Sequence, residues 1–404
     1  MTFHRPPGYA EDLRIVDIRE RSIGISRYRD PRIPSGGLTT SLVAVVTDVA
    51  QAGRPVVGYG FASVGRYAQG GLIRERFAPR LLRAAPQDLA TGDGTNLDPF
   101  RAWDVMMAGE KPGGHGERCV AVGALDMALW DAAAKIAGLP LHRYLPDLLG
   151  RDATASDVPA YASGGYPYPD DDIAVLRDEM RHFASLGFTH AKIKIGGASL
   201  DQDLRRIEAA ATHLPGRGHL AVDAMNAYDP GRSLAAAAAL APFGLWWFED
   251  VCDPLDFATH ARVAARYAPP IAAGEALFSA AEAALLDQHA GLRRDRDILL
   301  FDPVHCYGLP GYLRIIDTLT AAGWPRRAFW PHGGHLFSLH LAAALGLGGA
   351  EVNPLAFHPF HGPPPALPVT AGRVPLPDVP GIGFELHDDA WRAFQALTDG
   401  PAAR

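Results

Sequence analysis

Residues 190–196 read HAKIKIG, and the fold turns on whether this is an exposed strand or part of a barrel wall. Strand side chains repeat with period 2, so Lys192 and Lys194 share one face and Ile193 and Ile195 the other. Only four of the 38 Lys+Arg residues are lysines (Lys111, Lys135, Lys192, Lys194), so half of them sit in this one strand. Under such an arginine bias a retained lysine suggests a need for a pKa that arginine cannot supply.

Outward from this strand, helix-like and strand-like segments alternate. "AVLRDEMRHFASLG" precedes it, "DQDLRRIEAAATHL" follows it, and then comes the strand "HLAVDA". This alternation predicts βα units and a parallel sheet. Strand ends fall at Lys194, Asp223, Glu249, Glu275, Asp302 and His332, at steps of 29, 26, 26, 27 and 30 residues. Near-constant spacing over six strands predicts a closed (β/α) TIM-type barrel, whose active site forms at the C-terminal strand ends. Every residue in that series is ionisable.

The flanking regions have a different texture. Residues 12–60 carry the β-rich runs "TTSLVAVVTDV" and "RPVVGYGFA", and "VAVGALDMALWDAAAKIA" (120–137) reads as a helix stopped by Gly138 and Pro140. The expected organisation is an α+β capping domain over 1–150, a barrel over 151–360, and a Pro-rich C-terminal return over 361–404 that rejoins the first domain.

Composition narrows the function. A 404-residue chain that is 48% hydrophobic with net charge −7 has ample core and no basic run. Nucleic acid and an anionic membrane are therefore excluded as expected partners, and a small-molecule ligand is the expected one. Three scattered cysteines (Cys119, Cys252, Cys306) contain no CxxC pair and suit a reducing cytoplasm. The N-terminus lacks the apolar core of a signal sequence, and the most apolar stretch, 234–248, is broken by Pro242 and Gly244.

Asp223, Glu249 and Glu275 each end or follow an apolar strand. One such acid usually caps a helix, but three converging on a barrel mouth repel unless a cation neutralises them. Oxygen-only ligation selects a hard ion, here Mg²⁺. Asp302, one strand before His332, can orient that imidazole as an acid or base. A second ammonium at Lys192 is expected to pull the pKa of Lys194 down toward working pH. Two other patterns carry less. "GLGG" (346–349) follows a helix-like run and reads as a helix end rather than a dinucleotide loop. His335 and His340 near His332 suggest zinc, yet an early-strand His-x-His is missing, so only His332 is retained.

The Lys-x-Lys strand, the Asp/Glu/Glu trio and the His332/Asp302 pair together resemble the enolase superfamily and its mandelate racemase subgroup. "VVGYGFASVGRYAQGGLIRERF", "EKPGGHGERCVAVGALDMALWD", "KIKIGGAS", "PHGGH" and "PGIGFE" are similar to its tartrate dehydratase-like proteins. The resemblance implies a Mg²⁺-dependent dehydratase of a hydroxy acid or acid sugar. Lys194 would remove the proton α to a carboxylate, and Lys192 and the metal would stabilise the enediolate. His332, oriented by Asp302, would protonate the leaving β-hydroxyl from the opposite face. Arg66, Tyr67, Lys111 and Asn226 would bind substrate, and a homo-oligomer is expected. A racemase or epimerase is the alternative within this fold; a metal-dependent hydrolase and a non-catalytic sugar-acid binder are the alternatives outside it. Met225 and Ala276 stand where the family usually has Asn, and Ala62 and Val64 where the tartrate enzymes are polar. A substrate less polar than tartrate at its distal end is therefore expected.

Overall fold

Three long β-rich runs near the N-terminus pair antiparallel: β1 (Ile15–Gly24), β2 (Thr39–Gln51) and β3 (Arg54–Phe61). The computed structural model describes residues 13–25, 38–63, 69–152, 155–168 and 170–399. Val64, Arg66 and Tyr67 lie outside the described residues, so the substrate contacts expected of the two polar ones are not addressed by the structure. One face of the sheet is covered by the helix Arg118–Ala137, whose first 17 residues are almost wholly apolar and buried. The approach is so close that a Cβ on Gly58 would collide with the Ala128 carbonyl, and one on Gly60 with the Ala124 carbonyl. Glycines on the strand and alanines four apart on the helix thus form one seam.

The parallel barrel follows: β4 (Asp157–Gly164), β5 (Ala191–Lys194), β6 (Leu220–Asp223), β7 (Phe248–Glu249), β8 (Ile271–Ala273), β9 (Ile298–Leu299) and β10 (Ala350–Val352). They pair in the order β10-β4-β5-β6-β7-β8-β9. Residues 329–331 close the ring. Trp330 N donates to Leu299 O at 2.8 Å on one side, and Glu351 N donates to Pro331 O at 3.3 Å on the other. Four of the outer helices begin at a side-chain cap just beyond a strand: Ser199, Asp229, Asp256 and Ser279. Among the described residues no helix is long and apolar enough to cross a membrane.

The C-terminal segment runs back along the molecule. β11 (Arg373–Pro375) pairs antiparallel with β4, and the helix Asp388–Thr398 reaches the first sheet, where Phe394 meets Tyr59 with ring centroids 5.0 Å apart. Buried His340 ties this return down: its Nε2 donates to Ile382 O at 2.9 Å, and its Nδ1 accepts from His142 N at 3.1 Å. The bond accepted at Nδ1 requires the neutral ring, and burial, aided by the neighbouring His142, lowers its pKa to about 3. An unfolded histidine titrates near ~6.5, so below that pH the unfolded chain takes up a proton the folded chain refuses. Stability should therefore fall as pH drops from about 6.5 toward 3, by up to ~1.4 kcal/mol per pH unit from this group. Urea midpoints at pH 7, 6 and 5 for the native protein and His340→Gln check this: the variant should show the shallower slope, and equal slopes would refute the assignment.

Candidate active site

The alternation that defines the strands also builds the site. In the parallel register Lys194 stands beside Asp223, and Asp223 beside Glu249. These three form one inward-facing row at the C-terminal strand ends. Two residues down each strand, Lys192, Ala221 and Trp247 face inward as well. Ala221 and Trp247 belong to an apolar floor completed by Tyr161, Ala272 and Leu300. Glu275 and Asp302 come two and three residues beyond β8 and β9, and His332 follows the closing segment 329–331.

Asp223, Glu249 and Glu275 each offer an oxygen within 4.8 Å of the others. Glu249 is fully buried; its Oε1 is 2.5 Å from Lys192 Nζ and its Oε2 accepts from Trp247 Nε1 at 2.8 Å. Burial and the Asp223 and Glu275 carboxylates raise its pKa, against the pull of Lys192. Asp223 is also buried, but Lys194 and Lys192 more than offset that burial and hold its carboxyl low. Glu275 Oε2 is buried and lacks a hydrogen bond, although it stands 3.2 Å from His332 Nε2. Converging oxygens, a frustrated buried glutamate and an orphaned carboxylate oxygen fit a hard divalent cation such as Mg²⁺.

The lysines depart from expectation in one respect. Lys194 Nζ pairs with Asp223 Oδ2, and Lys192 lies 3.5 Å from Glu351 Oε1 and 3.8 Å from Asp223 Oδ2. Burial and Lys192 both push the Lys194 pKa down, as the two-ammonium argument requires. Asp223, with Tyr166 and Glu249 behind it, outweighs them only in combination, and the net shift is upward. The sequence shows the like charge two residues away but not the carboxylate across the sheet. An amine in this position would give up its proton readily only with that carboxylate charge engaged by another cation.

His332 Nδ1 and Asp302 Oδ2 are 2.9 Å apart. Burial opposes protonation of His332, but Glu275, Glu351 and Asp302 overcome it and lift the imidazole to about 9. Asp302 is held far below the carboxylate range despite its burial, by His305 and His332. Ser63, just after β3, donates to the same Asp302 oxygen at 2.8 Å and lies 3.1 Å from His335 Nε2. His335 Nδ1 accepts from Ser338 N at 3.3 Å, capping the helix Leu336–Leu345. His335 and His340 are thus engaged away from the carboxylate trio.

Glu351 is the group the sequence reading missed. It lies in the middle of β10, 2% exposed, with Oε2 3.8 Å from His332 Nε2 and accepting from Gly333 N at 3.2 Å. Burial would raise it, but Lys192, His332 and Lys194 hold it down to about 2. The available signal was a lone carboxylate inside "AEV", an apolar strand only three residues long. Two further expected substrate contacts lie within the described residues. Asn226 gives Nδ2 to Asp250 Oδ2 at 2.8 Å, while its Oδ1 is buried without a hydrogen bond. Lys111 is exposed in the loop before the helix Arg118–Ala137. Met225 is 51% exposed.

A family model described as enolase C-terminal domain-like matches residues 175–390. L-talarate/galactarate dehydratase of Salmonella typhimurium is 31% identical over 297 residues, covering 72% of this chain and 69% of that protein. Arabinonate dehydratase of Saccharolobus solfataricus is 29% identical over 302 residues, covering 72% and 77%. The 3,6-anhydro-alpha-L-galactonate cycloisomerase of Streptomyces coelicolor is 32% identical, covering 70% and 73%. Among solved structures, L-talarate dehydratase from Polaromonas sp. JS666, complexed with Mg and L-glucarate, superposes with a TM-score of 0.70 at 26% identity, covering 92% of this chain and 94% of that one.

Proposed function

Since the chain belongs to the enolase superfamily, within its mandelate racemase subgroup, we propose that it is a Mg²⁺-dependent acid-sugar dehydratase, a lyase acting through proton abstraction α to a carboxylate. The observation that carries this reading is the placement of two proton-transfer groups around one carboxylate trio. Lys194 ends the second barrel strand and His332 follows the seventh, three strands apart one way round the ring and five the other. Mg²⁺ held by Asp223, Glu249 and Glu275 supplies the positive charge that makes an α-proton acidic enough for an amine. Lys194 Nζ takes that proton. Lys192 donates to the enediolate oxygens from beneath, where Glu249 and Glu351 fix its position. His332, held protonated by its carboxylate neighbours and oriented through Nδ1 by Asp302, gives its Nε2 proton to the departing β-hydroxyl from the opposite face.

In this reading residues 151–360 carry the chemistry, while 1–150 and 361–404 enclose the distal end of the substrate. Arg66, Tyr67 and Lys111 are its candidate contacts there. Three buried cysteines, none of them in a disulfide, support a cytoplasmic setting.

A library of mono- and diacid sugars, assayed for 2-keto acid formation with Mg²⁺, tests the proposal. One or more members should be dehydrated; solvent deuterium entering the α-position without loss of water would select the racemase alternative. The same screen tests specificity. Ala62 is buried, and Ala276 and the exposed Met225 flank metal-binding positions. Burying a distal hydroxyl or carboxylate against such groups costs ~1 to 3 kcal/mol, on the order of 10- to 100-fold in kcat/KM. Tartrate should therefore be outperformed by a substrate less polar at that end, and tartrate ranking first would refute this.

A further inference from the structure

The turn after β9 creates a second metal-binding geometry beside the carboxylate trio. Asp302, His305 and His332 each present a ligand atom within 4.8 Å of the others. Asp302 Oδ2 is 2.9 Å from His332 Nδ1 and 3.6 Å from His305 Nε2. Ligands of a tetrahedral Zn²⁺ with bonds near 2.0–2.1 Å are separated by about 3.3 Å, a value between these two. The two imidazole centroids are 5.8 Å apart, close to the spacing of roughly 5 to 6 Å that two rings sharing one such ion adopt. Asp302 is held in place by its other oxygen, which accepts from Val304 N at 2.7 Å and His305 N at 3.2 Å. Its second oxygen, which also accepts from Ser63 Oγ at 2.8 Å, faces both rings. Asp302 and His305 are buried, and His332, partly exposed, gives access from the mouth.

The donors also differ in kind from those of the trio. Three carboxylates favour a hard ion, whereas two imidazoles and one carboxylate favour a borderline one such as Zn²⁺ or Co²⁺. We propose that Asp302, His305 and His332 form a second site, separate from the carboxylate trio, that takes a Zn²⁺-class ion and thereby inhibits the enzyme. Binding replaces the Nδ1 proton of His332 with the metal and releases that proton to solvent; water completes the coordination. The ring then carries only the Nε2 proton of a neutral imidazole, a far weaker acid than imidazolium, and protonation of the leaving group stops. The inhibition rests on the dehydratase reading. The binding does not.

The test uses Mg²⁺-saturated protein titrated with Co²⁺. A four-coordinate site with two imidazoles gives an intense visible band, whereas six-coordinate cobalt on carboxylates gives only a faint one. One equivalent should develop the intense band, Zn²⁺ should displace it, and His305→Gln should lose it. With a competent substrate, Zn²⁺ should inhibit native turnover at concentrations at least about tenfold lower than it inhibits His305→Gln. No intense band in the native protein, or an undiminished one in His305→Gln, overturns the site. Because the band needs no substrate, a failed dehydratase assay beside an intact band overturns only the catalytic reading. Should His305→Gln not fold, diffraction from native crystals soaked in Zn²⁺ decides. Anomalous density between the three side chains supports the proposal, and density confined to the carboxylate trio overturns it.

Discussion

Lys194→Arg should abolish both dehydration and α-proton exchange with solvent, lowering each by at least about 10³-fold, within the range attributed to a positioned general base. The substitution keeps the positive charge opposite Asp223 but replaces an amine that can lose its proton with a guanidinium that effectively cannot. Loss of activity would therefore not be a loss of the ion pair. Lys192→Arg is the matched control. It keeps a cation between Glu249 and Glu351 and a donor for the enediolate, though its bulk disturbs the geometry, so measurable activity should survive. The two variants are compared by following the α-proton signal of substrate in D₂O by NMR, alongside keto acid formation. Exchange that persists in Lys194→Arg would place the base elsewhere, with His332 the next candidate.

Glu249→Gln should be comparably severe for a different reason. The variant loses one of three anionic ligands, so Mg²⁺ affinity should drop by well over tenfold and turnover should fall below detection. The fold should hold. Gln can still accept from Trp247 or face Lys192 through its one carbonyl oxygen, and the repulsion that Asp223 and Glu275 exert on the buried carboxylate disappears. With the Lys192 ion pair and one hydrogen bond weakened, two repulsions relieved, and Asp223 and Glu351 still facing Lys192, the net change in stability should stay within ~2 kcal/mol. Calorimetric titration with Mg²⁺ and urea unfolding separate the two effects. Native-like Mg²⁺ affinity in the variant would remove Glu249 from the ligand set.

The contrast between what the sequence discloses and what it conceals follows the range of the interactions. Lys194, Asp223 and Glu249 are legible because each sits on a period-2 strand and the strands recur at near-constant spacing, which together fix both face and end. Glu351 breaks that rhythm: it falls nineteen residues after His332, on a strand of three residues. The hydrogen bond the Asn226 amide makes is set by local geometry. Met225 and Asn226 both adopt left-handed backbone, with φ of 51° and 56°, and the turn carries the amide to Asp250. The upward shift of Lys194 depends on Asp223, which is adjacent only once β5 and β6 have paired.

The bond from Ser63 to Asp302 joins residues 239 positions apart in the chain, and it has a consequence for how such an enzyme can diversify. Ser63 stands directly before 64–68, where Arg66 and Tyr67 are the expected substrate contacts, so the point at which the cap grips the Asp302–His332 pair adjoins the segment expected to recognise substrate. Changes from residue 64 onward can alter which acid is accepted while the anchor stays put. An insertion or deletion between β3 and Ser63 would instead withdraw a hydrogen bond from Asp302 along with any change in selectivity. Exchange of loops between relatives should accordingly be tolerated when the splice falls after this serine and penalised when it falls before, which makes the boundary between inherited chemistry and adjustable recognition a single peptide bond wide.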